Sequence, residues 1–306
     1  MYDLIIIGGG PGGVAAGIYA ARKRMKTALV TDTFGGQSLV SAGIENWIGT
    51  KVISGYDLAK SLEEHLRAQQ GIDIIDGDLV AMVVKKDDGT FTVTTKNGKT
   101  LETKYILLTS GSRRKRLGVP GEDQFDGKGV VFCTTCDAPL FGGKIVAVVG
   151  GGNSALEGVI DLLQYASKIY LLARGEVLRG DPVTQEKIKS HPNVEILWNT
   201  VVEEIKGDKF VNGIRYKDVK TNEEKDIALE GVFVEIGLVP NSDFVKDLVK
   251  LGEFGHIAID HKTQATSCPG IWAAGDVSDG LYDQNNISVG DAIKAVLNIY
   301  DQVKKG

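Results

Sequence analysis

The sequence predicts an α/β fold in which two similar parallel-sheet units share one chain, the second inserted into the first. Three observations predict it. In "YDLIIIGGGPGGVAAGIYAAR" a buried strand, Leu4 to Ile7, runs into Gly8, Gly10 and Gly13 and then into a helical pattern. In "KIVAVVGGGNSALEGVIDLLQ" a strand, Ile145 to Val149, runs into Gly150, Gly152, Asn153, Ser154 and Ala155 and then another helix. Near the C-terminus "GIWAAGDVSDG" supplies a short apolar strand ending in Gly275 and Asp276, which completes the first unit. Both glycine stretches fit G-x-G-x-x-G/A with a strand before and a helix after. The first glycine makes the tight turn, and the second lets backbone approach a pyrophosphate. The third position lets helix pack on strand, with the helix N-terminus facing the anion. The units are therefore expected to be two Rossmann-like three-layer dinucleotide-binding domains.

The elements follow in order. The second strand of the first unit, "KTALVTD", ends at Asp32, and the same offset that carries Gly8 to Gly150 carries Asp32 to Arg174. An acid about 20 residues past the glycines suits free ribose hydroxyls, and an arginine suits a 2'-phosphate. The first unit is thus suited to FAD or NAD and the second to NADPH. From Leu79 to Ser110, "LVAMVVKK", "FTVTT" and "YILLTS" alternate with glycine turns, a β meander. "GSRRKRLGVPGEDQFDG" reads as a crossing between domains; its Arg113, Arg114, Lys115 and Arg116 form an anion site or a solvated charge run. "VEILWNT", "VVEEIKGD", "FVNGIRYKD" and "GVFVEIG" are further strands, and "LVPNSD" breaks the pattern. The expected domains are 1–114 plus 241–306 and an inserted 115–240. In the last segment Val289, Ala292, Ile293, Val296, Ile299, Tyr300 and Val303 recur at helical spacing.

Composition narrows the function classes. Of 306 residues, 42% are hydrophobic and 25% charged, and the net charge of -5 gives no general attraction to nucleic acid or anionic membrane. The apolar runs fall short of a membrane span. "MYDLIIIGGG" reads as a first strand rather than a signal peptide. Three cysteines make no disulfide framework, and a cytoplasmic setting is expected.

Two of those cysteines stand in "FCTTCDAPLF". A CxxC can hold a metal, lock a turn or pass electrons. Four zinc ligands would have to come from Cys133, Cys136, Cys268 and the four histidines His65, His191, His256 and His261, none spaced as a second pair. No metal is expected. Residues three apart at a helix start lie close enough for a disulfide to open and close with little backbone movement, and a helix N-terminus favours the thiolate. Asp137 is either a turn-forming acid or, if buried, a proton donor to the leaving thiolate. Cys268 reads as a packing residue.

Taken together, "GGGPGG", "GGQS", "ENWIG", "TSG", "CTTCD", "GGGNSA", "GLVPN" and "AAGDV" resemble, in order and spacing, the low-molecular-weight thioredoxin reductases of the FAD-dependent pyridine nucleotide-disulfide oxidoreductase family. The resemblance implies that FAD meets the first glycine motif, Gly35, Gly36, Gln37, Asn46, Gly111 and Asp276, with Gln284 at the flavin. It implies NADPH or NADH on the second motif with Arg174 and Arg179, and Asp137 as the proton donor. Cys136 would face the flavin and Cys133 would attack a thioredoxin or thioredoxin-like protein. A homodimer is implied too. The sequence departs from the family in four places. Thr31, with Asp32 beside it, stands where the family's ribose acid closes the strand. Ala173 and Gly175 flank the kept Arg174 where the family reads His-Arg-Arg, so one phosphate-facing cation is gone, and Glu176 lies nearby, which leaves NADPH against NADH open. Asp283, Asn285 and Asn286 replace a basic and then apolar residues, and Cys268 an apolar one. Alternative expectations keep the fold: a ferredoxin or deazaflavin donor, service to a peroxiredoxin system with no fused thioredoxin domain, or a non-catalytic redox sensor.

Overall fold

The structure, a computed structural model, describes residues 1–41 and 43–305, and of Val40, Thr135 and Cys136 the backbone alone. The chain divides into two compact units, Met1–Arg113 with Val239–Gly306, and Arg114–Leu238.

The first unit begins with β1 (Tyr2–Gly9), α1 (Pro11–Arg22), β2 (Thr27–Phe34), α2 (Gly55–Arg67) and β3 (Ile72–Ile75). It continues with β4 (Val80–Lys85), β5 (Phe91–Thr95), β6 (Thr100–Leu108) and β7 (Ser112–Arg114), whose last residue, Arg114, belongs to the second unit. Its sheet runs β3-β2-β1-β6-β5-β4. Strand β1 lies parallel to both neighbours, Ile5 beside Ala28 and Ile106. A strand covered on both faces needs a continuous apolar run, and Leu4, Ile5, Ile6 and Ile7 supply it: Ile5 and Ile7 pack on one side with Ala28 and Val30, Leu4 and Ile6 on the other with Val14. The β4–β5–β6 part is the antiparallel meander read from the sequence. Pro11 at the first turn starts α1, and the helix is so enclosed that most of its residues are buried. Ser54 caps α2, its hydroxyl accepting the Asp57 amide at 3.0 Å.

The second unit holds β8 (Val130–Val131), α3 (Thr134–Asp137), β9 (Ile145–Val149), α4 (Asn153–Leu162), β10 (Lys168–Ala173), α5 (Pro182–Ser190) and β11 (Val194–Trp198). Next come β12 (Thr200–Gly207), β13 (Val211–Asp218), β14 (Glu224–Ala228) and β15 (Gly231–Val234). A parallel sheet runs β11-β10-β9-β15-β8, and β12-β13-β14 form a separate antiparallel sheet. Strand β14 was not legible: "EKDIA" is exposed except for a half-buried Ile227, so it lacks the alternation that marks a strand. The chain then adds β16 (Leu238–Pro240), β17 (Ile271–Ala273), which pairs β6, and α6 (Asn285–Val303). Ala292, Ala295, Val296 and Ile299 are the buried face of α6.

The basic run is mostly solvent-exposed, with Arg113, Lys115 and Arg116 at the surface and Arg114 half-buried, and it also carries ion pairs. Arg113 donates to Asn241 Oδ1 at 2.9 Å and pairs with Asp243 at 3.2 Å, Arg114 pairs with Glu235, and Arg116 pairs with Asp126 over the ring of Phe132. Three of its four cations are used inside the chain.

Candidate functional site: a glycine-walled cavity and a redox turn

The carboxyl ends of β1, β2 and β6 and the start of α6 enclose a cavity of about 750 Å³. That size lies within the range of small-molecule and cofactor pockets. Gly8, Gly10, Asp32, Gly36, Gln37, Gly111, Gly275 and Asp276 all line it. Gly8 has φ +117°, and a Cβ on it would fall on the Thr109 carbonyl; Gly13 does not face the cavity but lets α1 sit directly on the Gly8 carbonyl. The Gln37 amide donates to the Ser112 carbonyl at 2.6 Å, holding the Gly35–Gly36 turn against β7.

Three polar groups in this cavity await a ligand's partners. Thr31 spends its hydroxyl on the Thr33 carbonyl at 2.7 Å, so the acid at the end of β2 that is left to meet a ribose is the exposed Asp32. The hydroxyl of Ser112 is buried and makes no hydrogen bond in the protein. Burial pushes the Asp276 carboxyl above its usual range, helped by the charge of Asp283 and opposed by the Ser288 hydroxyl, which donates to it at 3.3 Å. A half-buried acid whose side-chain donor sits at a long 3.3 Å is suited to a hydroxylated chain. These groups fit an extended dinucleotide such as FAD.

Asn46 and Gln284 are not among the cavity's lining. Asn46 Nδ2 donates to Gln284 Oε1 at 3.0 Å, and Asn286 Nδ2 donates to the Asn46 carbonyl at 2.7 Å. Ser38 donates to Asn285 Oδ1 at 3.1 Å. The departures at Asn285 and Asn286 therefore tie the segment around residues 38–46 to the start of α6, contacts no short-range pattern could show. Ser112, Ser288 and Lys96 line the cavity as well and were missed for the same reason.

In the second unit Gly150 has φ +150°, and a Cβ on it would meet the Glu235 carbonyl. Ala155 is buried under the turn, while Gly152, Asn153 and Ser154 are exposed at the start of α4. The loop after β10 folds back on them: the Arg179 amide donates to Gly151 at 2.7 Å and the Asp181 amide to Asn153 Oδ1 at 2.8 Å. The side chains of Arg174 and Arg179 are exposed beside this turn, and Glu176 is paired with Lys220. The turn presents backbone amides and two cations, a fit to a nicotinamide nucleotide phosphate.

The redox turn comes after β8. Cys133 is disulfide-bonded and stands at the N-cap of α3, where the Asp137 amide donates to its carbonyl at 3.1 Å. The side chain of Cys136, expected to be its partner, lies outside the described residues. Asp137 is half-buried, its side chain caps no helix amide, and burial raises its carboxyl above the usual range. Phe141 anchors the turn, its ring 4.9 Å from that of Phe233 and fitted over Gly231, where a Cβ would strike it. Glu235, at the end of β15, accepts from the Thr134 hydroxyl at 2.9 Å and the Thr134 amide at 3.3 Å. Sequence reasoning passed over Glu235, although a lone acid closing the apolar run "GVFV" was a visible signal. Cys268 is buried in the first unit's core, 3.7 Å from Lys85 Nζ. Among the described residues no cluster of His, Cys, Asp and Glu is arranged to hold a metal, and no helix is long and apolar enough to cross a membrane.

A family model described as pyridine nucleotide-disulphide oxidoreductase matches residues 2–294. The chain is 44% identical over 300 residues to a protein named NADH dehydrogenase from Bacillus subtilis (98% of this chain, 58% of that protein). It is 42% identical over 306 residues to the alkyl hydroperoxide reductase F subunit of Pseudomonas putida (99% of this chain, 58% of that protein). The chain thus spans 58% of the length of these two relatives. Among solved structures, thioredoxin reductase of Lactococcus lactis matches with a TM-score of 0.82 and 33% identity, over 100% of both chains. That of T. acidophilum matches with a TM-score of 0.79 and 38% identity, over 99% of both. Such a match places two dinucleotide-binding domains of Rossmann type in this chain.

Proposed function

The chain belongs to the pyridine nucleotide-disulphide oxidoreductase family, whose members use FAD and NAD(P)H, and on that premise we propose that it is a flavin-dependent NAD(P)H:protein-disulfide oxidoreductase of the thioredoxin reductase type. The carrying observation is the disulfide-bonded Cys133 on a short turn that shares a unit with the second glycine motif, followed by a half-buried acid. FAD, when bound, supplies hydride acceptance from NAD(P)H and onward transfer of an electron pair to a disulfide.

The residues divide the remaining work. Gly8, Gly10, Gly13, Gly35, Gly36, Gln37, Gly111 and Gly275 shape the FAD cavity, Asp32 and Asp276 meet its hydroxyls, and the Asn46–Gln284 pair fixes the start of α6. Gly150, Gly152, Asn153, Ser154 and Ala155 form the NAD(P)H turn, with Arg174 and Arg179 at the ribose. Reduction of the Cys133–Cys136 disulfide consumes two electrons and two protons and leaves two thiols. Asp137 holds one of those protons, because burial keeps its carboxyl protonated to higher pH than an exposed acid. Cys133 then attacks the partner's disulfide, releasing one partner thiolate and forming a mixed disulfide. Cys136 displaces the second partner thiol and restores the starting disulfide. The partner is a thioredoxin or thioredoxin-like protein, and the enzyme is a cytoplasmic homodimer.

A second reading, NADH as donor and a peroxide-reducing system as client, is favoured by the names of the two relatives and by Ala173 and Gly175 beside the remaining Arg174. The ratio of kcat/KM for NADH and NADPH, with a thioredoxin and a peroxiredoxin system as alternative acceptors, decides between the two. The test of the core assignment is the double variant Cys133→Ser, Cys136→Ser. It should keep bound FAD and reduce a small dye with NAD(P)H to within about twofold of the parent while losing protein-disulfide reduction. Full retention of disulfide reduction would refute the assignment.

A further inference from the structure

Glu235 is a buried acid for which the proposed chemistry has no use. It follows directly on β15, whose residues are Gly231, Val232, Phe233 and Val234, and has 7% of its surface exposed. Its Oε1 accepts both the hydroxyl and the amide of Thr134, and its Oε2 pairs with Arg114 at 3.3 Å. Thr134 is the first residue of α3 and comes directly after Cys133. On its other side Thr134 is wedged against α4 at Gly158, where a Cβ would strike its hydroxyl. The charged groups facing Glu235 are Arg114 on β7 and, more distantly, Asp161 on α4.

The amides at the start of a helix lower the pKa of a thiol placed there, by stabilising the thiolate. At this turn a carboxylate already takes the first of those amides. We propose that Glu235 is a positioning residue for the dithiol: it clamps the redox turn at Thr134, and its charge opposes a thiolate at Cys133, keeping the pair strongly reducing. The sign comes from the disulfide equilibrium. Stabilising the reduced thiolate makes a disulfide more oxidising, so a negative charge beside the turn does the reverse. A dithiol that must reduce other protein disulfides gains from that direction. Burial raises the Glu235 carboxyl, while Arg114 and Thr134 favour its charged form. The inference rests on the proposed disulfide chemistry for its purpose, although the equilibrium itself does not need a nicotinamide nucleotide or a partner.

The test uses the FAD-loaded full chain equilibrated in dithiothreitol redox buffers, with Cys133 alkylation followed by peptide mass spectrometry across pH. Glu235→Gln keeps an acceptor for Thr134 and removes the charge. It should favour the reduced form by about tenfold, which is about 30 mV toward oxidising, and move the Cys133 alkylation profile down by about one pH unit. Thr134→Val removes the hydroxyl bond and keeps the charge, so it should leave that profile in place. If Glu235→Gln does not fold, Glu235→Asp, which withdraws the charge by one methylene, should shift both readouts in the same direction by less. A wild-type equilibrium in Glu235→Gln, or an equal shift in Thr134→Val, would overturn the inference. A wild-type dithiol that dithiothreitol reduces but NAD(P)H does not would instead defeat the proposed function and leave the role of Glu235 standing.

Discussion

At the first glycine turn a Cβ on Gly8 would strike the carbonyl of Thr109, and at the second a Cβ on Gly150 would strike that of Glu235. The two positions are equivalent: Thr109 donates its amide to Ile7 as Glu235 does to Val149. The helices after the two turns differ. Gly13 allows α1 to lie on the Gly8 carbonyl, and α1 is buried nearly all round. Ala155 takes the place of that third glycine under α4, and α4 buries one face, with Asn153 and Ser154 exposed at its start. Thr109 uses its hydroxyl to close its own turn onto Ile7 and Gly8, whereas Glu235 reaches away from its turn to Thr134. One motif thus stands in two settings: against a walled cavity in the first unit, and at an open edge, with Gly152, Asn153 and Ser154 exposed, in the unit that carries Cys133.

The largest effect should come from breaking each turn in the same way. Gly8→Ala puts a side chain at φ +117° against backbone that cannot retreat, and the purified protein should lack flavin absorbance. Gly150→Ala should keep its flavin but raise the KM for NAD(P)H by about tenfold or more. Equal flavin loss in both variants would break the comparison. Next comes the acid of the redox turn. Asp137→Asn should lower protein-disulfide turnover by about a hundredfold with dye reduction unchanged. Because burial raises the Asp137 carboxyl, the wild-type disulfide step should slow as pH rises through that raised value, and the asparagine variant should lose this limb of the pH profile. An unchanged profile would remove Asp137 from the proton path. The smallest effect concerns the open edge. Arg174→Ala and Arg179→Ala should each raise the KM for NADPH by about tenfold if a 2'-phosphate is bound and leave that for NADH in place. Equal changes for both nucleotides would show that neither cation reads the phosphate.

The glycine turns, the strands that lead into them and the CxxC were legible in the sequence. Each is a local requirement: a positive φ, a close backbone approach, or two thiols within reach along one turn. Strand β14 was not, since an exposed edge strand of charged residues carries no alternation. The positions of Asn46 and Gln284 show the limit for the cofactor site. Each was tied to FAD through resemblance, yet their hydrogen bond joins residues brought together only when α6 docks beside the first glycine turn. Asp32 shows the converse. Its neighbour Thr31 competes for the same role on paper, and a hydroxyl turned onto the Thr33 carbonyl leaves the acid facing the cavity.

By itself the sequence determined that two dinucleotide-type units share this chain and that a CxxC precedes the second glycine turn, because backbone conformation at glycine and spacing along a helix are short-range properties. Only the tertiary structure decided which groups surround that pair. Glu235 meets Thr134 because parallel strands bring the ends of β8 and β15 to the same edge of one sheet. Whether a buried charge is balanced depends on which distant residues share its low-dielectric surroundings, and that is fixed by packing rather than by order along the chain.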